Sequence, residues 1–303
     1  MKTLSKIASE RWVNAPVLNT ILVRDGIARA TNMDQYITYK TDIAPGLYAG
    51  KAFDQARVPV KDIPESDFPE CFIKIGDKLS TMVLPRETLE FVSDAASQEE
   101  TRYYLNGIFF DDSGLVATNG HILLHEKAET GLTGGQGVIM PNLAIKFLVS
   151  IMKEEKEKAC ALDIHANGFV ARCGRYTLTS KSIDGPFPDY RRVIPQDAPC
   201  VGLVNGDIAK ALKEAKPIYR AKGFHWSSRH EKSVQPLTIG KGMISIQGES
   251  YSWPCEMAFE KPCGFNPSYL EKMPEGTAYA KDNESPMRIN AGSRLGVIMP
   301  MRV

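Results

Sequence analysis

No stretch of 18 consecutive apolar residues occurs in this 303-residue chain, so no membrane-spanning helix is expected. The opening MKTLSKIASERW has no long apolar run, which argues against a secretory signal. No Cys-x-x-Cys pair exists among Cys71, Cys160, Cys173, Cys200, Cys255 and Cys263. Scattered thiols of this kind suit a reduced, cytoplasmic protein better than a disulfide frame or a zinc site. Excess charge is lacking too. The formal net charge is +1, so a nucleic-acid surface would have to come from segregation of charge. Catalytic spacing is absent as well. His121 and His125 stand four apart, but that spacing joins metal ligands only on a helix; in a strand, at about 3.3 Å per residue, they lie about 13 Å apart. No Glu follows His121. Gly131–Gly137, GLTGGQG, lacks the Gly-Lys-Ser/Thr end of a phosphate loop and reads as a flexible connection. No nucleophile–base arrangement and no paired carboxylates stand out, so no catalytic residue, metal or cofactor is expected.

What is present begins with a repeat. Asn19–Asn32, NTILVRDGIARATN, and Asn106–Asn119, NGIFFDDSGLVATN, share an Asn, an apolar strand, an Asp-containing turn with Gly, a second apolar strand and Ala-Thr-Asn. The shared Thr recurs 87 residues on, from Thr31 to Thr118. A later marker, Asp67-Phe68-Pro69-Glu70, recurs as Pro186-Phe187-Pro188-Asp189, and its Phe moves by 119. The first unit is therefore 32 residues shorter than the second between these marks. Two hairpins can resemble each other by chance; two markers in one order favour duplicated domains, one of them cut down. With 43% hydrophobic residues the chain can bury two or three cores, at about 100–150 residues per domain.

Local patterns predict the elements. Leu4–Trp12 reads as a short helix, and Thr20–Val23 with Ile27–Thr31 as a hairpin followed by a strand over Gln35–Lys40. Gly50–Arg57 reads as two helical turns, and the stretch from Pro59 to Pro69 as loop. Phe72–Ile75 and Leu79–Leu84 read as strands. Pro85–Ser97 reads as a helix with Pro at its first position. Tyr103–Phe110, Leu115–Thr118 and His121–His125 read as strands, turning at Asp111–Gly114 and at Asn119-Gly120. Pro141–Lys158 carries Ala144, Phe147, Leu148 and Ile151 on one helical stripe. Strands are expected over Leu162–His165, Phe169–Cys173 and Tyr176–Lys181, then a proline-rich link. Asp207–Lys222 has an apolar face of Ile208, Leu212, Ala215 and Tyr219, with Lys210, Lys213, Lys216 and Arg220 on a neighbouring arc and Pro217 as a difficulty. By itself that arc reads as a solvated face. Leu237–Glu249 reads as a hairpin, Asn266–Met273 as a helix capped by Asn, and Pro286–Ile289 and Leu295–Met301 as closing strands. Hairpin blocks alternating with single helices suit an α+β fold, helices on one side of antiparallel sheets.

Several of these segments resemble the bacterial DNA polymerase III beta subunit, the sliding clamp. They are Arg102-Tyr103-Tyr104-Leu105-Asn106-Gly107; Ala117-Thr118-Asn119-Gly120-His121; Thr179-Ser180-Lys181 with Asp184-Gly185 and Phe187-Pro188-Asp189-Tyr190-Arg191-Arg192-Val193; Phe265-Asn266-Pro267-Ser268-Tyr269; and Val297-Ile298-Met299-Pro300-Met301-Arg302-Val303. The resemblance is firm from about residue 83 onward and looser before it. It implies three similar clamp-type domains, at 1–82 (shortened), 83–197 and 198–303. It further implies a head-to-tail homodimer ring with helices lining the hole and sheets outside, encircling double-stranded DNA without reading its sequence.

The same resemblance implies a peptide-binding groove for short motifs of a DNA polymerase and a clamp loader. Its wall would be Arg102, Leu105, Thr118, Gly120, His121, Leu123, Pro188, Arg192, Val193, Asn266, Tyr269, Val297, Met299, Pro300, Met301 and Arg302. DNA would be met by Tyr103, Tyr104, Lys146, Lys153, Lys210, Lys213 and Arg220. Apolar, methionine-rich walls accept varied anchors, which agrees with such a groove. There are departures. The family's usual Asp-Gly-His-Arg is Asn119-Gly120-His121-Ile122 here, and Glu99 and Glu100 put acid beside the two tyrosines. The alternative is a clamp-like adaptor that binds such peptides without encircling DNA.

Overall fold

The computed structural model describes residues 1–8, 14–51, 53–70, 73–226 and 234–303. The chain forms two compact units. The first comprises Met1–Ser93, Gln98–Leu115 and Glu129–Phe187; the second comprises Asp94–Ser97, Val116–Ala128 and Pro188–Val303.

The first unit opens with α1 (Lys2–Ile7) and the strands β1 (Thr20–Arg24), β2 (Ile27–Thr31), β3 (Gln35–Lys40) and β4 (Gly46–Ala49). It continues with β5 (Lys78–Pro85), α2 (Arg86–Ser93) and β6 (Gly107–Asp111). The chain passes into the second unit within β7 (Gly114–Thr118), runs β8 (Ile122–Lys127) there, and returns for β9 (Val138–Pro141), α3 (Asn142–Glu155), β10 (Ala159–His165), β11 (Gly168–Cys173) and β12 (Tyr176–Lys181). The rest belongs to the second unit: β13 (Cys200–Val204), α4 (Gly206–Lys222), β14 (Leu237–Gly240), β15 (Met243–Ile246), β16 (Ser252–Pro254), β17 (Cys263–Phe265), α5 (Pro267–Leu270), β18 (Gly276–Tyr279), β19 (Met287–Ala291) and β20 (Arg294–Ile298).

One rule generates this order. Among the described residues a helix is followed by a run of three antiparallel strands, five times over, and four of the five helices have a strand just before them. That leading strand pairs with the first strand of a different run: β5 with β10, β9 with β6, β17 with β14, β13 with β18. β4 obeys the same rule by pairing with β1, yet no helix and no three-strand run follow it among the described residues. The 32-residue difference between the two copies of the repeat coincides with this gap in the pattern. In the first unit the sheet runs β4-β1-β2-β3-β12-β11-β10-β5. In the second, β13-β18-β19-β20-β8 run in order, and β16-β15-β14-β17 form a separate four-stranded sheet.

The chain around β4 has a core of its own. Leu22, Tyr36, Leu47 and Phe68 form a buried cluster to which Val17, Val60, Ile63 and Ile73 are packed. Fully buried Phe53, whose N–H donates to Gly50 O, pins the chain after β4. Val58–Val60 then lies along β4, with Ala49 N donating to Val58 O (2.9 Å) and Val60 N to Leu47 O (2.8 Å). The described residues of the predicted Gly50–Arg57 helix form turns and no helix, between the Phe53 anchor and the extended pairing of Val58–Val60.

The repeat holds atom by atom. Thr31 Oγ1 donates to Gln35 O (2.8 Å), and Thr118 Oγ1 to Ile122 O (2.7 Å). Asn32 Oδ1 accepts from the N–H groups of Asp34 and Gln35, and Asn119 Oδ1 from those of His121 and Ile122. The third turn residue has positive φ in both, 77° at Met33 and 90° at Gly120.

Other expectations are corrected. Tyr103 and Tyr104 lie in a 3-10 turn, Glu100–Leu105, and the strand starts only at Gly107, because Asn106 ties the turn by donating to Tyr103 O and, through its side chain, to Glu99 O. The first helix ends at Ile7, and residues 9–12 of its predicted span lie outside the described residues, as does Phe72; residues 73–75 form no strand. The Pro85–Ser97 helix contracts to α2, since Pro85 is paired in β5 with Ala159. α4 runs through Pro217, leaving Lys213 O without the usual donor. The strands β4, β9, β13, β16, β17 and β18 had no sequence expectation.

Candidate functional site

Of the wall residues of the second unit, His121, Leu123, Val297 and the segment from Met299 onward lie at the end of β20, whereas Pro188, Arg192 and Val193 lie on a turn whose Tyr190 meets His125, which pairs with Leu295 near the start of that strand. The β8–β20 ladder pairs Leu123 with Val297 and Ile122 with Ile298. Both Leu123 and Val297 are buried, so they form floor, not open wall. Past Ile298 the chain leaves the ladder held from two sides. Met299 N donates to His121 O (2.9 Å), and Met301 N to Gly264 O (2.8 Å). Met299 is 40% exposed, Pro300 and Met301 are half-buried, and Arg302 is exposed.

The His121 ring stacks on Tyr269, with centroids 5.9 Å apart and planes 13° from parallel. Tyr269 lies on α5, whose start is fixed by Asn266: its Oδ1 accepts from Ser268 N (3.0 Å) and Ser268 Oγ (2.8 Å). Asn266 is buried, and its Nδ2 has no hydrogen-bond partner. Pro188, Arg192 and Val193 surround a 3-10 turn, Tyr190–Val193, and all three are exposed, Val193 by 49%. Tyr190 anchors that turn: it is buried with its ring 5.8 Å from that of His125. Arg192 pairs with Asp189 at 3.2 Å. Thr118 and Gly120 belong to the turn described above.

Arg102 and Leu105 lie in the first unit. Arg102 is bound to Glu99 at 2.8 Å, and Leu105 is buried. Sequence reasoning missed Gly264, whose carbonyl holds Met301, and the anchoring role of Tyr190. Tyr190 sat inside a quoted motif, but its partner is 65 residues away. His121 and His125 meet different rings, and among the described residues no group of three or more His, Cys, Asp or Glu is placed to hold a metal.

The basic residues sit on exposed helix faces. On α3, Ala144, Ile145, Phe147, Leu148, Ile151 and Met152 are buried, while Lys146 and Lys153 are exposed; Lys153 pairs with Glu90 of α2 at 2.6 Å. On α4, Ile208, Ala211, Leu212, Ala215 and Tyr219 are buried, and Lys210, Lys213 and Arg220 are exposed. Lys216, on the same arc, is engaged with Glu271. Tyr103 is half-exposed and meets Tyr104 edge-on, centroids 5.8 Å apart. The Glu99 charge beside them is taken by Arg102.

Residues 79–189 match the family described as DNA polymerase III beta subunit, central domain. The beta sliding clamp of Proteus mirabilis is 32% identical over 269 residues, which span 82% of this chain and 72% of that protein. Among solved structures, a sliding clamp from Bartonella birtlesii bound to griselimycin aligns over 100% of this chain and 96% of its own, with TM-score 0.76 and 26% identity. A C. crescentus beta sliding clamp aligns over the same shares with TM-score 0.78; at 24% identity that likeness speaks for the fold alone.

Proposed function

The chain belongs to the bacterial beta sliding clamp family, the non-catalytic processivity subunits of DNA polymerase III, and from that premise we propose how this member works. It encircles duplex DNA as a homodimer and tethers a polymerase and a clamp loader through short peptide motifs. We divide it into domains at 1–82, 83–197 and 198–303, the first holding one half-unit where its sisters hold two. The recurring helix-and-three-strand pattern supports this division. No helix among the described residues is long and apolar enough to cross a membrane, and we assign the chain to the cytoplasm, with the replication machinery.

The observation that carries the groove is the C-terminal tail. It is tied by backbone bonds to His121 O and Gly264 O, yet leaves the Met299 side chain open beside the same segment that presents the His121–Tyr269 stack. A flexible thioether beside aromatic rings accepts apolar anchors of varied shape. For DNA, Lys146, Lys153, Lys210, Lys213 and Arg220 supply a diffuse positive field that acts on phosphates and carries no sequence information. The test is direct. A labelled polymerase C-terminal peptide binds the full chain, and deletion of Met299–Val303 abolishes binding while the circular-dichroism spectrum is unchanged. Full-strength binding by the truncated chain would refute the groove.

A further inference from the structure

The third strands β12 and β20 end alike. Lys181 N donates to Asp34 O (2.9 Å) and Met299 N to His121 O (2.9 Å), and Asp34 and His121 hold the same place in the repeated turn. Two residues further on, Ile183 N donates to Ile139 O (3.0 Å) and Met301 N to Gly264 O (2.8 Å). Ile139 and Gly264 correspond as well. Each lies in a leading strand, Ile139 of β9 opposite Phe109 and Gly264 of β17 opposite Thr238. Both units therefore lay the chain that leaves the third strand onto a leading strand. The side chains at the contact differ.

In the first unit the leading strand carries the bulk. Ile139 is buried, and a Cβ added to Gly107 would stand 3.0 Å from its Cγ2. Two residues past Ile183 the chain has a glycine, Gly185. In the second unit the sizes are exchanged. Pro236 holds the place of Gly107, Gly264 that of Ile139, and the residue two past Met301 is Val303. A Cβ on Gly264 would overlap Val303 Cγ1 and stand 2.9 Å from Met301 O, whereas Pro236 Cβ, at 3.4 Å, would be in ordinary contact. The two atoms that come too close both belong to the tail. Gly264 is buried and does not have positive φ, so its own backbone would accept an L side chain.

We propose that Gly264 is a positioning residue of the groove: its missing side chain leaves the room in which Met301 and Val303 lie, and this fixes where Met299 is presented. The proposal rests on the groove reading and adds a residue to it. A Cβ at 264 forces the tail off β17 and stretches the Met301–Gly264 bond out of hydrogen-bond range. Pro300, whose ring fixes its φ, carries that displacement back to Met299. β20 keeps its ladders to β8 and β19, so the fold survives the change.

Gly264→Ala in the full chain tests this by three readouts: affinity for the labelled polymerase C-terminal peptide, hydrogen exchange at the Met301 amide, and thermal unfolding. Affinity is expected to fall at least about tenfold, and the Met301 amide to lose its protection. Unfolding stays cooperative with a midpoint no lower than that of the Met299–Val303 deletion, because alanine restricts the unfolded chain and fits this backbone once the tail has moved. Val303→Gly alone is expected to cost less than about threefold. Added to Gly264→Ala, it brings affinity back to within about threefold of the unaltered chain, a coupling expected only of residues in contact. Unchanged affinity in Gly264→Ala overturns the proposal. So does a double variant that binds no better than Gly264→Ala, and so does a Gly264→Ala chain that fails to fold. If the unaltered chain binds no peptide, the groove reading fails, and exchange at Met301 in the same variants decides whether Gly264 seats the tail.

Discussion

Met33 and Gly120 stand at the same place in two copies of one turn, both with positive φ. Glycine holds that conformation freely, whereas an L side chain is strained in it by about 1–2 kcal/mol, offset in part by the chain entropy that glycine loses on folding. Met33→Gly is therefore expected to raise stability by up to about 1 kcal/mol, and Gly120→Met to lower it by a similar amount, read from urea midpoints. Two carboxylates set a pH dependence. Burial alone would raise Asp163, but bonds from Lys78 (2.8 Å), Arg172 (2.5 Å) and Thr81 (2.7 Å) hold it well below the usual carboxylate range. Burial likewise acts upward on Glu154, and the Met1 amine, Tyr176 and Thr3 outweigh it. A depressed folded-state pKa adds stability above the unfolded value, about 4, and loses it as the pH falls. Unfolding midpoints should drop from pH 5 to 3. Asp163→Asn should cost about 1–3 kcal/mol at pH 7 and flatten that acid limb. An unchanged acid limb in this variant would show that Asp163 does not carry it.

At the scale of elements, the tail after β20 is expected to be dispensable for folding. Its removal loses the backbone bonds of Met299 and Met301, about 1–3 kcal/mol together, while β20 keeps its ladders to β8 and β19. Thermal unfolding of the Met299–Val303 deletion should thus remain cooperative, with a modestly lower midpoint. The long amphipathic helices α3 and α4 were legible because apolar periodicity is local, and so was the Thr118-Asn119-Gly120 turn, whose hydrogen bonds span four residues. The leading strands β9, β13 and β17 were not, because each is short and takes its partner from another run. Gly50–Arg57 has a helical pattern that Phe53 and the pairing of Val58–Val60 with β4 override. Tyr103 reads as strand by composition, yet a turn closed by Asn106 holds it. Of the proposed groove, the exposed Met299 and Val193 were legible as motif residues. The anchoring of their segments by Gly264 and His125 depends on pairings far apart in the chain.

Among the described residues the chain carries five helix-and-three-strand half-units, one fewer than a threefold repeat of pairs would require. Retention on DNA is expected to depend on field, not on base contacts. Reversal of Lys146 and Lys210 together to Glu should shorten retention on circular DNA, most at low salt; unchanged retention would remove both from the DNA-facing set. The measurement closest to the central claim is topological. The labelled chain is loaded onto nicked circular plasmid by a clamp loader with ATP, the complex is isolated by gel filtration, and the plasmid is then cut once. Encirclement predicts that protein elutes with the circle and slides free after the cut. Retention that the cut does not change, or no retention on the circle, would contradict it.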